Sequence, residues 1–87
     1  ADNRRDAGLH MDAHKAWIGE GLQDGIFQLV GSLAEGTGGA ILAHGESREE
    51  IENRIARDPF VAHGVVTAHI QEIAPSFASP SLQHLLA

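Results

Sequence analysis

A glycine-rich segment between two short apolar runs constrains the fold of this chain most strongly. Three glycines fall within residues 34–39, and the flanking runs cover residues 26–30 and 40–44. Glycine adopts positive φ without steric cost, so the segment favours a turn. The first run is rich in β-branched and aromatic side chains, which are typical of strands. The sequence therefore predicts a β-hairpin against which the remaining residues must pack.

An apolar stripe at helical spacing precedes this hairpin. Its members recur every three or four residues: Ala7, Met11, His14, Ile18 and Leu22. This spacing predicts a helix over residues 6–21. Short polar side chains near its start are candidates for the N-cap: Asp2, Asn3 and Asp6. Glycines follow at its predicted end: Gly19, Gly21 and Gly25.

A capping signature after the hairpin predicts a second helix. Ser47 is followed three residues later by Glu50, the pattern in which each side chain bonds to the other residue's backbone amide. Proline cannot continue a helix, so we predict that this helix ends at Pro59. Asp58 would then lie at a helix C-terminus, where the helix dipole disfavours a carboxylate. This local cost favours a specific partner for Asp58.

The last third of the chain predicts a strand and an extension. Apolar and polar side chains alternate over residues 65–73, which predicts a strand. Residues 75–80 contain two prolines and small polar side chains and predict a linker before a short apolar tail, residues 82–86. We therefore predict one domain over residues 1–75 and a C-terminal extension over residues 76–87, with the element order α-β-β-α-β.

Composition limits the class of function. Six lysines and arginines against twelve aspartates and glutamates give a formal charge of −6, so nucleic-acid binding is not expected. Cysteine is absent, which excludes disulfides and thiolate sites. No apolar run approaches the roughly 20 residues that span a bilayer, and we expect a cytoplasmic protein that binds no membrane. A chain of this size buries only roughly 60–65 % of its unfolded surface, which favours a homodimer.

Several runs resemble, in order and spacing, those of YCII-related proteins. The resemblance spans residues 10–73. The matching runs are HKAWI at 14–18, DGIF at 24–27, GSL at 31–33, TGGAILA at 37–43, SREE at 47–50, DPF at 58–60 and GVV at 64–66. The family's strand end is often Ser-Gly-Pro, whereas this chain has no proline at the corresponding Gly31-Ser32-Leu33.

The resemblance implies a ferredoxin-like α+β fold. In that fold an antiparallel sheet carries two helices on one face, and two copies pair into a dimeric α/β barrel. The family opens with a strand that lies inside the sheet, whereas this chain starts after it. Without that strand its neighbours would expose unpaired backbone groups. We expect roughly ten further residues upstream in the natural protein, or a different strand pairing.

Histidine and aspartate are the candidate catalytic residues. A histidine on a buried helix stripe can transfer a proton near neutral pH when a carboxylate fixes its tautomer. Family members that are similar to an enzyme eliminate halide from a chlorinated, hydroxylated ring with such a pair. The resemblance places the histidine at His14 and the aspartate at Asp58. The alternative is a buried structural histidine beside a helix-terminal aspartate.

Other polar and aromatic side chains are weaker candidates. Trp17 and Phe60 are expected to line a pocket beside the pair or to pack in the core. Ser32 is expected to bind a ligand or to cap a turn. His10 has metal-ligand spacing to His14, but no third ligand is evident, and we predict no metal and no cofactor.

Two functions remain open. In the first, the protein is a lyase- or isomerase-type enzyme, dehydrochlorinase-like if the resemblance extends to activity, acting on a small substrate that the sequence does not identify. In the second, it is a non-catalytic dimeric module that binds a small ligand or a partner. An enzyme needs an open, partly polar pocket beside His14, whereas a structural pair is packed over by neighbouring side chains.

Overall fold

The computed structural model describes residues 7–36 and 38–86 and shows an α+β fold. Its elements are, in chain order, helix α1 (Ala7–Gln23), strand β1 (Phe27–Ser32), strand β2 (Gly39–Ala43), helix α2 (Arg48–Ala56), helix α3 (Pro59–Ala62) and a 3-10 helix (Pro80–Leu86). Both main helices and the hairpin are confirmed. The N-cap candidates of α1 lie outside the described residues.

The hairpin is a two-stranded antiparallel sheet. Val30 lies opposite Ile41, and Leu29 lies opposite Leu42. The register shifts between Phe27 and Leu29, which lets Phe27 turn into the core at the start of β1. Gly36 has a φ of +78° in the connecting turn, a conformation that side chains other than glycine disfavour.

The core lies where α1 crosses the start of the hairpin. Its buried apolar side chains among the described residues are Trp17, Phe27 and Val65. The rings of Trp17 and Phe27 meet edge to face, with 5.0 Å between centroids. A Cβ atom at Gly21 would overlap the ring of Phe27, so glycine at this position lets the ring lie against the helix.

An ion-pair cluster joins α2 to the loop that precedes β1 and the loop that follows β2. The nearly buried guanidinium of Arg54 donates from Nε and Nη2 to the two carboxylate oxygens of Glu46, at 2.9 and 3.0 Å, and lies 3.4 Å from a carboxylate oxygen of Asp24. The hydrogen bonds from Arg54 hold the pKa of Glu46 below its usual value. The same contact raises the pKa of Arg54.

The junction between α2 and α3 corrects the prediction for Asp58. Helix α2 begins with the predicted Ser47–Glu50 capping box and ends at Ala56. Pro59 begins a new helix, and Asp58 is its N-cap, with extended backbone angles. Proline is tolerated in the first turn of a helix and makes the residue before it extended. Asp58 therefore occupies a favourable helix start and not a helix end.

The predicted strand over residues 65–73 is wrong. The chain forms no strand over these residues. The amides of Val65 and Val66 both donate to the carbonyl of Phe60, and residues 67–77 make no backbone–backbone hydrogen bond to any described residue. Alternation marks a chain with two different faces, but a strand also needs a neighbour to pair with.

The C-terminal residues form a 3-10 helix that contacts the hairpin. Nε2 of His84 lies 2.9 Å from the side-chain oxygen of Gln28, on β1. The segment before it leaves the side chain of Phe77 96 % exposed. No helix in the described part of the chain is long and apolar enough to cross a membrane.

Candidate functional site

The packing of α3 against α1 brings His14 to Asp58. Nδ1 of His14 lies 2.7 Å from Oδ1 of Asp58, although the two residues are 44 positions apart in sequence. The aspartate side chain is 7 % exposed and the histidine side chain 19 %. The pairing that the sequence suggested is thus present, in a largely buried setting where a hydrogen bond is stronger than it is in water.

The same carboxylate oxygen has a second donor. The backbone N–H of Phe60 donates to Oδ1 of Asp58 at 3.0 Å, which is the capping bond of α3. A carboxylate oxygen only accepts, so Nδ1 of His14 is the donor in its bond to Asp58. In the neutral imidazole the lone pair then resides on Nε2, which has no hydrogen-bond partner among residues 7–36 and 38–86.

Two aromatic side chains surround the imidazole. Phe60 stacks on His14 with 3.8 Å between ring centroids and 1° between the ring planes. Trp17 is further away, with its ring centroid at 6.0 Å. Its indole Nε1 donates to the main-chain carbonyl of Arg54 and is not available to a ligand. Phe60 therefore makes the closer contact to the histidine.

A second ring stack lies beside the first and was not anticipated from the sequence. His10 is half-buried and stacks on His63, with 4.1 Å between ring centroids and 5° between their planes. His10 and His14 are four residues apart on α1, while Phe60 and His63 are three apart at α3. These spacings place each pair on one face of its helix. They are the only feature of the sequence that could have indicated two neighbouring ring stacks.

The two histidines of this second stack are poorly oriented for metal binding. Within the described residues, no group of three or more histidine, cysteine, aspartate or glutamate side chains is placed to hold a metal ion. The stacked rings of His10 and His63 face each other through their π surfaces, whereas imidazole binds a metal through a ring nitrogen in the ring plane.

Two surface grooves lie away from the pair. One of about 780 Å³ lies between α2 and the residues that follow α3, lined in part by Ile55, Val61 and Ile70. Another of about 390 Å³ lies on the hairpin and includes Ser32. Neither groove is lined by His14 or Asp58. Ser32 is thus part of a different surface from the pair.

The arrangement can accept or donate a proton at one atom. Asp58 orients the imidazole, while Nε2 is left for a proton from a reacting molecule. The structure thus unites His14 and Asp58 with Phe60 and Trp17, four of the five residues proposed from the sequence. Comparisons with protein-family models, curated proteins and solved structures found no match to this chain.

Proposed function

We propose that this protein is a small cytoplasmic enzyme of the lyase or isomerase type. In this proposal His14 transfers a proton, and Asp58 orients the imidazole of His14. The observation that carries the proposal is the 2.7 Å hydrogen bond between Nδ1 of His14 and Oδ1 of Asp58. The bond leaves Nε2 as the basic atom, and the proposal requires a substrate to reach this atom, in a histidine side chain that is 19 % exposed.

The substrate in this proposal is a small molecule with a hydrogen on carbon that a neighbouring group makes acidic, such as a hydroxylated or halogenated ring. Proton transfer by a positioned side chain contributes typically 10²–10⁴-fold to a rate, which is enough for such an activated substrate. The proton passes from carbon to Nε2. It returns to a neighbouring carbon in an isomerisation, whereas in an elimination the leaving group departs with its bonding electrons.

Solvent exchange tests the proposal even when the product has not been identified. The wild-type protein is incubated in deuterated water with a panel of chlorinated, hydroxylated and keto-substituted small molecules, and proton NMR follows deuterium incorporation and new products. A substrate of the wild type should react about 10²–10⁴-fold more slowly with the His14→Gln variant. Asp58→Asn should also slow the reaction.

His10→Gln is the matched control. It removes an imidazole from the same face of α1, one helical turn away from His14, and leaves the contact with Asp58 in place. The control should keep the wild-type rate. If wild type and His14→Gln react at equal rates with every molecule that reacts, the proposed role of His14 is wrong.

A second candidate function is a non-catalytic homodimeric binding module. Two observations favour it: Phe60 packs over the imidazole, and both described grooves lie away from the pair. In this function the pair fixes α1 against α3. A homodimer, and the dimeric α/β barrel that the sequence resemblance implies, would cover apolar surface on one face of the hairpin, where Leu29 is now exposed beside its cross-strand neighbour Leu42.

Sedimentation and binding measurements separate this candidate from the enzyme. A binding module should sediment as a dimer and bind a small ligand with equal affinity in the wild type and in His14→Gln. Leu29→Lys places a charge on the exposed face of the hairpin and should dissociate a dimer formed there. A monomer at micromolar concentration would contradict the homodimer.

A further inference from the structure

We propose that Phe60 is a positioning residue for His14, which fixes the imidazole through its ring and the carboxylate partner through its backbone. The inference rests on the proposed function, since it assigns a role within the His14–Asp58 pair. It changes the role expected for Phe60 from the sequence, where the side chain was a candidate to line a substrate pocket.

The ring contact fixes the plane of the imidazole. A single hydrogen bond from Nδ1 leaves the imidazole free to tilt about the axis of that bond. The ring of Phe60 is stacked parallel to the imidazole, with 3.8 Å between the ring centroids and 1° between the ring planes, and removes this freedom. Since the lone pair of Nε2 lies in the plane of the imidazole, fixing the plane also fixes the direction from which a proton can arrive.

The backbone contact fixes the carboxylate. The N–H of Phe60 and Nδ1 of His14 converge on the same oxygen, Oδ1 of Asp58, at 3.0 and 2.7 Å. Pro59 occupies the first position of α3 and Phe60 the second. The side chain of an N-cap aspartate typically accepts a hydrogen bond from the backbone N–H at this second position, as Asp58 does from Phe60. The tripeptide from 58 to 60 thus supplies the acceptor, the helix start and the stacking ring.

Neighbouring side chains show why this role belongs to Phe60. His63 makes an equivalent stack on His10 between the same two helices but has no bond to Asp58. Neither described groove is lined by Phe60, whose ring stacks on the imidazole of His14. His63 therefore provides a control that shares the helix packing of Phe60 and lacks its contacts with the pair.

Nitrogen NMR of the histidine rings tests the inference. The protein is labelled with ¹⁵N, and long-range spectra are recorded for the wild type and the variants Phe60→Leu, Phe60→Tyr and His63→Leu at a pH where His14 is neutral. We expect one tautomer of His14 in the wild type, with hydrogen on Nδ1. Phe60→Leu should raise the population of the other tautomer, whereas Phe60→Tyr and His63→Leu should match the wild type.

A second measurement does not depend on any substitution. The ring current of Phe60 should shift the carbon-bound ring protons of His14 upfield in the wild-type spectrum, because the rings are stacked. An unshifted His14 signal overturns the inference, even if Phe60→Leu proves too unstable to study. An unchanged tautomer of His14 in folded Phe60→Leu overturns it as well.

The two proposals fail in distinguishable ways. A fixed tautomer that depends on Phe60, in a protein that turns over no molecule of the panel, supports the positioning role and contradicts the enzyme. Turnover that depends on His14 but is unchanged in Phe60→Leu, together with an unchanged tautomer, supports the enzyme and contradicts the positioning role.

Discussion

The indole Nε1 of Trp17 donates a hydrogen bond to the main-chain carbonyl of Arg54 at 3.0 Å, which joins α1 to the last turn of α2. The same carbonyl also accepts a hydrogen bond from the backbone N–H of Arg57, the C-cap residue of α2. It therefore takes part both in the C-cap of α2 and in the contact between α1 and α2. Because Trp17 is 8 % exposed and meets Phe27 edge to face, one side chain combines apolar burial with a directional bond.

Trp17→Phe tests this contact. The variant keeps an aromatic ring but loses the donor and part of the packed volume, and it should lower the free energy of unfolding by about 1–3 kcal/mol. Urea denaturation followed by circular dichroism measures the difference. Phe77→Leu is the control, since this exposed side chain should change stability by less than about 0.5 kcal/mol. Equal stability of Trp17→Phe and wild type would contradict the assigned role.

Substitution of Asp58 should lower the free energy of unfolding because its carboxylate accepts hydrogen bonds from two donors. Asp58→Ala removes the N-cap of α3 and leaves Nδ1 of His14 without its partner, for an expected loss of about 2–4 kcal/mol. Asp58→Asn keeps a capping oxygen and should lose about 1 kcal/mol less than alanine. Denaturant titration of both variants compares these values. Identical losses would show that capping contributes little at this position.

Two glycines of α1 should respond in opposite ways to alanine. Gly21→Ala forces a Cβ atom into the buried ring of Phe27 and should destabilise the protein by about 1–3 kcal/mol. Gly19→Ala meets no atom within 4 Å and should stabilise it by up to about 1 kcal/mol, through better helix propensity. Thermal denaturation of both variants provides the comparison. A stabilising Gly21→Ala would mean that the ring of Phe27 moves aside easily.

The ion pair of Arg54 with Glu46 predicts a loss of stability in acid. The pKa of Glu46 is lower in the folded protein than its ordinary value of 4.5, chiefly because Arg54 donates hydrogen bonds to it. The stabilisation that the ionised Glu46 contributes is therefore complete above about pH 4.5, the pKa of the unfolded chain. It is lost as the pH falls through the lower pKa that Glu46 has in the folded protein. Removing this charge-assisted contact should cost about 1.5–3 kcal/mol at neutral pH.

Glu46→Gln should flatten this part of the pH dependence. The unfolding free energies of wild type and variant should differ at pH 7 and converge towards pH 3, as measured by urea titrations across that range. Glu52→Gln is the control, because its pair with Arg48 is about half exposed on both sides and contributes little. A difference between wild type and Glu46→Gln that does not change with pH would contradict the contribution of the ion pair.

Local patterns predicted the helices and the hairpin because the causes of those elements are local. The apolar spacing of α1, the capping box at Ser47 and the glycines of the turn each act within a few residues. The prediction at Pro59 failed because proline both ends and begins helices, and only the backbone around Asp58 distinguishes the two. The prediction for residues 65–73 failed because strand formation depends on a partner elsewhere in the chain.

The candidate site was predictable in its members but not in its geometry. His14 and Asp58 could be proposed together from their chemistry and from a resemblance, but the 2.7 Å contact depends on how α3 packs against α1. The stacks of Phe60 on His14 and of His63 on His10 likewise depend on that packing. Sequence spacing assigns side chains to a helix face, whereas it does not determine which face of a distant helix they meet.

The close approach of Phe27 to the backbone of α1 makes positions 21 and 27 interdependent. A large ring at 27 requires the absence of a side chain at 21, and a small side chain at 27 would leave space that alanine at 21 could fill. Variants of this fold should therefore change the two positions together. A library randomised at both should return glycine with aromatic residues and alanine with smaller apolar ones, so that covariation between these positions would report the crossing of α1 over β1 from sequences alone.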